Sequence, residues 1–359
     1  MVKTKVLISG ASVAGPALAH LLHRDGYEVT VVERAPALRD SGYAVDFRGA
    51  AFDALEELGI LDEVRAHDTR MRGTGLVDET GAEVGQLPAE AFAGELEVPK
   101  RELTRILHEI TAKDVEYVFD DSITALTEHE SGVAVEFERA AAREFDLVFG
   151  ADGVYSKVRR LAFGPHGEVV RHLGMSGVGF TTDNYLGLDR SGLLQQAGDT
   201  TIYLFSSGDR DRLTVSLSFA TDSPALDRRG RDEQERAVRA AFAGRGWEAP
   251  RLLEAMAGAE DFYFASTCQV HLDRWSRGRV ALLGDAGYCA APTSGMGTSQ
   301  ALVGAHALAR QLARVGGGGD YAAAFAAYEA ELRPYVAENQ AKGREAAAMF
   351  GGGGEPAGG

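Results

Sequence analysis

The sequence predicts an α/β fold: a mostly parallel sheet, joined to a second, antiparallel sheet and closed by C-terminal helices. Three observations carry that expectation. A strand, a glycine turn, a helix and a second strand open the chain. Short alternating strands fill its middle, and a second glycine-rich turn runs into a long apolar helix near its end. With 359 residues, 45% of them hydrophobic, the chain suits one large domain or two coupled ones.

The elements follow in order. Lys5–Ser9 is an apolar run ending at Gly10. Residues 13–24 place Leu18, Leu21 and Leu22 on one side of a helix, and Glu28–Glu33 is a β-branched strand. This β–α–β unit is Rossmann-like. Residues 52–66 and 102–112 read as helices. Residues 115–119, 123–126 and 133–138 read as strands of a meander, and 146–150 as a strand ending at Ala151-Asp152-Gly153. From 169 to 221 apolar and aromatic runs at 178–181, 201–205 and 213–219 alternate with glycine turns, the texture of an antiparallel sheet. Residues 233–244 and 298–315 read as helices around a buried strand at 280–283. Residues 321–349 form an alanine-rich helical tract that Pro334 is expected to kink or break.

These readings divide the chain into a discontinuous nucleotide-binding domain, 1–168 with 269–315, and a substrate-binding antiparallel domain, 169–268. A helical region, 316–350, and a disordered glycine-rich tail, 351–359, follow.

A net charge of −16 disfavours nucleic acid and anionic membranes as partners. No run approaches the roughly 20 uncharged apolar residues that span a bilayer. Val6-Leu7-Ile8 is too short for a signal-peptide core. Cys268 and Cys289 have no metal-like or redox-like spacing, so the expectation is a cytoplasmic protein without a metal.

Gly10-Ala11-Ser12-Val13-Ala14-Gly15 has the spacing of a dinucleotide fingerprint, placed after a strand and opening a helix. Gly10 permits the tight turn and Gly15 the close packing of helix on sheet. The helix N-terminus offers N–H groups to a pyrophosphate. Ser12 stands where the motif prefers glycine. Glu33, at the end of the second strand, is placed to accept hydrogen bonds from a ribose. The fingerprint alone does not separate NAD from FAD.

Further segments resemble one family, the single-component FAD-dependent aromatic hydroxylases of the para-hydroxybenzoate-hydroxylase type, which include tetracycline- and rifamycin-modifying monooxygenases. Glu33-Arg34 looks like the pair those enzymes set around the FAD adenosine. Asp146 to Arg160 (DLVFGADGVYSKVRR) is similar to their central motif, in which Asp152 and Gly153 serve the cofactor region. Gly284-Asp285-Ala286-Gly287-Tyr288, continuing through Pro292 to Gly295-Met296-Gly297-Thr298-Ser299, resembles their Gly-Asp motif. Physically, Asp285 at a strand end suits a ribityl hydroxyl. Gly295 and Gly297 let backbone approach a flat ring, and Thr298 or Ser299 is expected to cap the next helix.

The chain departs from the family in three places: Tyr288 stands for histidine, Met296 for glutamine and Ser299 for asparagine. The family's Arg-x-x-Leu-x-x-x-Leu helix start aligns with Lys100, Leu103 and Leu107, which leaves open whether Lys100 or Arg101 reaches the cofactor. Asp46 occupies a position that touches the isoalloxazine region in the antibiotic-modifying relatives, with Arg48 near it.

The resemblance implies non-covalent FAD, transient NAD(P)H and dioxygen, and hydroxylation of a small molecule through a C4a-hydroperoxide of the flavin. Phe180, Tyr203, Phe205, Phe219, Phe262, Tyr263 and Phe264 are candidates to line a pocket for an apolar aromatic or polycyclic, polyketide-like substrate. No acid–base residue stands out, although His172, His271 and Tyr43 are candidates to deprotonate a phenol. The rival expectation is an FAD-dependent oxidase or dehydrogenase without oxygen insertion.

Overall fold

Lys5–Ser9 lies inside a six-stranded sheet of order 276–277, 280–282, 147–150, 5–9, 28–33 and 116–119. All pairs are parallel except the edge pair of 276–277 with 280–282. The computed structural model describes residues 3–38, 44–91, 94–316 and 318–350. The central strands are apolar throughout because both sheet faces are covered. Val6 and Ile8 point into a core shared with the helices Ala14–Arg24, Gly297–Val315 and Tyr321–Phe350. Leu7 and Val148 point the other way, against the hairpin strands and the helix Lys157–Phe163. Leu302, Leu308 and Leu312 of Gly297–Val315 are fully buried. Each contributes about 1.5–3 kcal/mol of apolar burial, which fixes the helix that carries the second glycine turn.

The second sheet has seven strands, ordered 263–270, 170–183, 212–220, 200–206, 191–197, 74–77 and 83–87. All its pairs are antiparallel except 191–197 with 74–77. Two of the strands thus come from residues before 100, and Ser191–Ala197 was not among the strands read from the sequence. One face, with Val178, Phe180, Ile202, Leu204, Val215, Leu217 and Phe219, packs on the helices Arg231–Ala241 and Ala249–Gly258.

Several local expectations are corrected. The helix expected over 52–66 is two, Ala51–Glu57 and Leu61–Ala66, parted by Gly59 at φ +71°. The meander is split. Glu116–Phe119 joins the edge of the parallel sheet, and only Ile123–His129 and Gly132–Phe137 form a hairpin, extended by Arg143–Phe145. Pro334 does not break its helix, which runs unbroken from Tyr321 to Phe350. Side chains anchor it on both sides of the proline. Glu329 accepts from Trp275 N and Ser276 Oγ, and Gln340 donates to the Val270 carbonyl. Such anchoring outweighs the roughly 3 kcal/mol a helix-interior proline costs. The tail 351–359 and Tyr43 lie outside the described residues.

Candidate active site

The first glycine turn is shaped by backbone contacts. Gly10 has φ +110°, donates its N–H to the Val32 carbonyl at 2.8 Å, and sits so close to Ala151 that a Cβ would overlap the Ala151 carbonyl. A Cβ on Gly15 would overlap the carbonyl oxygen of Gly10. Only glycine at both positions lets the turn fold back tightly under the helix. Val13 and Ala14 are buried beneath it, whereas Ser12 is exposed at its tip. No described side chain caps the helix Ala14–Arg24, so its first N–H groups face outward beside Ser12. Glu33 braces this turn: its carboxylate accepts from Ala11 N and Ala35 N, both at 2.9 Å. Arg34 is exposed next to it.

The second turn meets the first. Gly284, at φ +60°, is wedged between helices: a Cβ there would lie 3.4 Å from Ala14 Cβ and 3.7 Å from Ala301 Cβ. The short helix Asp285–Tyr288 follows. Burial raises the Asp285 carboxyl pKa, opposed by a hydrogen bond from Cys289 and by the positive charge of Lys100. Pro292 is exposed at the start of a 3-10 turn, and Gly295 adopts the left-handed conformation at φ +61°. Gly297 opens the long helix, and a Cβ there would meet nothing within 4 Å. A Cβ on Gly295 would lie 3.5 Å from Asp46 Oδ2.

The contact of Gly284 with Ala14 thus brings the two turns side by side, each leading into a helix whose N-terminus no described side chain caps. These features fit an extended dinucleotide, with its pyrophosphate at one helix end and a flat ring at the other.

Known proteins decide which dinucleotide. Residues 3–342 match the family model described as an FAD binding domain. A flavin-dependent monooxygenase from an unknown prokaryotic organism is 38% identical over 343 residues, covering 94% of this chain and 88% of the relative. The chain belongs to the family of FAD-binding monooxygenases. An uncharacterized protein of Mycobacterium tuberculosis is 44% identical over 341 residues, covering 93% and 91% of the two chains. The crystal structure of tetracycline destructase Tet(55) superposes with a TM-score of 0.88 at 36% identity, covering 98% of this chain and 90% of that one.

As an FAD-dependent monooxygenase, the chain supplies the remaining side chains from several elements. The strand Ala44–Phe47 pairs with Leu96–Pro99, setting Asp46 opposite Glu97. Ser299 ties this strand to the long helix: its hydroxyl donates to the Asp46 carbonyl at 3.1 Å and accepts from Arg48 N at 3.2 Å. That employment corrects the expected cap. The helix starts one residue before Thr298, its N-cap is the buried Met296, and no described side chain caps it.

Arg48 stands 3.9 Å from Asp46, a loose ion pair. Lys100 and Arg101 begin the helix Lys100–Glu109 and diverge. Lys100 acts electrostatically on Asp285, whereas Arg101 is exposed and pairs with Glu102 at 3.4 Å. Asp152 caps the helix Lys157–Phe163, accepting from Ser156 Oγ and from Lys157 N at 2.7 Å. Gly153 beside it takes φ +82°. Burial raises the Cys289 thiol pKa well above its ordinary value, and its sulfur donates to the Cys268 carbonyl at 3.4 Å.

Strand register sorts the candidate pocket aromatics. Phe180 and Phe219 lie on the helix-covered face, Phe264 opposite Val178 shares it, and Phe262 packs there under Arg231. They are core, because alternation sends them away from the face that carries Tyr203 and Phe205. Tyr203 and Phe205 lie on the other face and stack at 5.0 Å between ring centroids. Tyr263 pairs with Gly179 on that same face. Gly177, Gly179, Thr214, Ser216 and Ser218 complete it in register, a floor of small residues.

The two histidines are bound into structure. His172 meets the Met175 carbonyl at 3.1 Å, and His271 meets Gln269 at 2.9 Å. Burial pulls the His271 pKa down to about 4. Sequence reading missed Glu97 and the serines of the floor. The alternation of Leu96-Glu97-Val98 was the one signal that Glu97 faces away from the core.

Proposed function

We propose that this enzyme is a single-component monooxygenase that takes electrons from transient NAD(P)H and inserts one atom of dioxygen into a bulky, apolar aromatic or polycyclic substrate. The observation that carries the substrate class is the face of the antiparallel sheet turned away from the helices Arg231–Ala241 and Ala249–Gly258. Gly179 and the short side chains of Ser216 and Ser218 keep it low, while Tyr203, Phe205 and Leu194 give apolar contact along one side. The destructase likeness supports a polycyclic ligand.

Ser12 with the first amides of Ala14–Arg24 would hold the pyrophosphate. Glu33 and Arg34 would flank the adenosine, Asp285 with Lys100 the ribityl chain, and Asp46, Arg48 and the 295–297 backbone the ring. Gly153 and Asp152 would shape the entry between them. Bound FAD supplies the redox chemistry, accepting hydride and activating oxygen. The chain's own part is to orient the substrate on the small-residue floor, to keep water out, and to complement negative charge on the reduced ring with the N-terminus of Gly297–Val315.

Purified protein reconstituted with FAD should be yellow and should oxidise NAD(P)H faster when tetracyclines or other polycyclic phenols are added. Under ¹⁸O₂ the product should carry one label. Unlabelled product would assign the enzyme instead to the oxidases or dehydrogenases.

A further inference from the structure

Asp46, assigned above to the ring end of the cofactor site, has a second half-buried carboxyl beside it. The carboxyls of Asp46 and Glu97 face each other across an antiparallel strand pair. Side chains directly opposite each other in an antiparallel pair lie within reach of one another, and Glu97 raises the Asp46 pKa. Two carboxyls so placed do not both ionise readily, which favours a proton kept between them. Glu97 is fixed on its far side, where Oε1 accepts from Thr69 Oγ1 at 2.6 Å and its backbone carbonyl accepts from Thr69 N at 2.8 Å. Asp46 is fixed by the Gly94 amide, and its Oδ2 lies 3.5 Å from the Cβ position of Gly295, beside the second glycine turn. Tyr203 of the substrate sheet feels the charge of both carboxyls. The pair thus stands where the cofactor cradle, the substrate floor and the strand Leu96–Pro99 meet.

We propose that Asp46 and Glu97 form the proton-donating pair of this monooxygenase: Asp46 delivers a proton to the reacting oxygen, and Glu97 is the positioning residue that holds it there. The inference rests on the monooxygenase reading above. The overall reaction is RH + O₂ + NAD(P)H + H⁺ → ROH + NAD(P)⁺ + H₂O. The O–O bond breaks, one oxygen forms the new C–O bond, and the other leaves as water. Two electrons come from the hydride, so one further proton must reach oxygen. A site that excludes water must take that proton from the protein.

The surroundings suit the task. Burial first, and then the like charge of Glu97, push the Asp46 pKa up to about 7, against the opposing pull of Arg48. Among the described residues, Arg48 acts on Asp46 and Asp68 on Glu97, and Tyr203 feels the charge of both carboxyls. Burial pushes the Tyr203 pKa up to about 12, so its phenol stays neutral and does not compete for the role.

The test has two arms. Infrared titration of the resting protein needs no substrate. Wild type should show a protonated-carboxyl C=O band that fades with a midpoint near pH 7. The band should be missing in Asp46→Asn, and in Glu97→Gln the midpoint should fall by about one to two pH units. In turnover, Glu97→Gln should keep its FAD, while labelled product per NAD(P)H falls roughly tenfold and hydrogen peroxide makes up the difference. The alkaline limb of the coupling profile should move with the infrared midpoint, and Glu97→Asp should restore part of the coupling.

No titrating band in wild type, or a band untouched in both variants, overturns the proposal. So does Glu97→Gln with wild-type coupling. Unlabelled product from wild type defeats the monooxygenase reading itself and leaves the infrared result standing, so the two failures are distinguishable.

Discussion

The glycines of the first turn and Gly179 of the antiparallel sheet sit in opposite surroundings. Around the parallel sheet, Gly10 and Gly15 are enforced by backbone: any side chain would drive into the carbonyl of Ala151 or of Gly10. On the exposed face of the antiparallel sheet, a Cβ on Gly179 would meet nothing nearer than the Val215 carbonyl at 3.9 Å. The first pair fixes a backbone shape, and Gly179 leaves open space. On the proposed function, the cofactor end is defined by the backbone and the substrate end by side-chain size.

Breaking the first kind of glycine should have the largest effect. Gly15→Ala should abolish FAD retention, because the overlap can be relieved only by moving the turn or the helix, at a cost of about 3 kcal/mol or more. The flavin-to-protein absorbance ratio reads this directly, and a yellow, stable Gly15→Ala protein would refute the role given to the turn.

Between the two regions lies Asp46, whose carboxyl has a folded-state pKa of about 7 against an ordinary value of 3.8. An acid whose pKa is raised by folding keeps its full contribution below the ordinary value and loses it as pH rises toward the folded one. Wild type should therefore lose stability relative to Asp46→Asn between about pH 4 and pH 7, by on the order of 4 kcal/mol, and the difference should level off above pH 7. Glu97 and Arg48 act on the group directly and, with its burial, set the midpoint. Denaturant midpoints at a series of pH values measure it, and a flat difference would contradict the burial of this carboxyl.

Gly179→Leu sharpens the contrast from the substrate side. It should leave flavin content intact and raise KM for a polycyclic substrate by about tenfold, a change of roughly 1.4 kcal/mol. Loss of flavin in this variant would show that the two regions are not separable. The smallest effect concerns the start of the helix Lys100–Glu109. Lys100→Ala should weaken FAD binding by about fivefold, because Asp285 loses the charge that offsets its burial. Arg101→Ala should stay within about 0.5 kcal/mol of wild type, as exposed ion pairs usually do. Paired FAD titrations decide between them.

The same contrast explains what the sequence could reveal. Gly10, Gly15 and Gly284 were legible because a backbone shape demands glycine at fixed spacing, whatever surrounds it. The β–α–β unit was legible for the same reason. The two faces of the antiparallel sheet were not. Phe180 and Phe205 look alike in the sequence, and only strand register sends them to opposite faces of the sheet. Ser299 reads as a helix cap but is taken by Asp46 and Arg48, more than 250 positions away. Glu97 was not singled out from the sequence, because its partner strand, 44–47, lies about 50 positions away. Pairings between distant segments leave no local trace.

The central claim is that the turns around Gly10–Gly15 and Gly284–Gly297 hold opposite ends of one FAD. A crystal structure of the reconstituted enzyme tests it most directly. The pyrophosphate should lie on the amides beside Ser12, with the flavin ring against Gly295–Gly297 and Asp46. A ring bound away from Gly295 and Asp46, with the pyrophosphate elsewhere than at Ser12, would contradict the account.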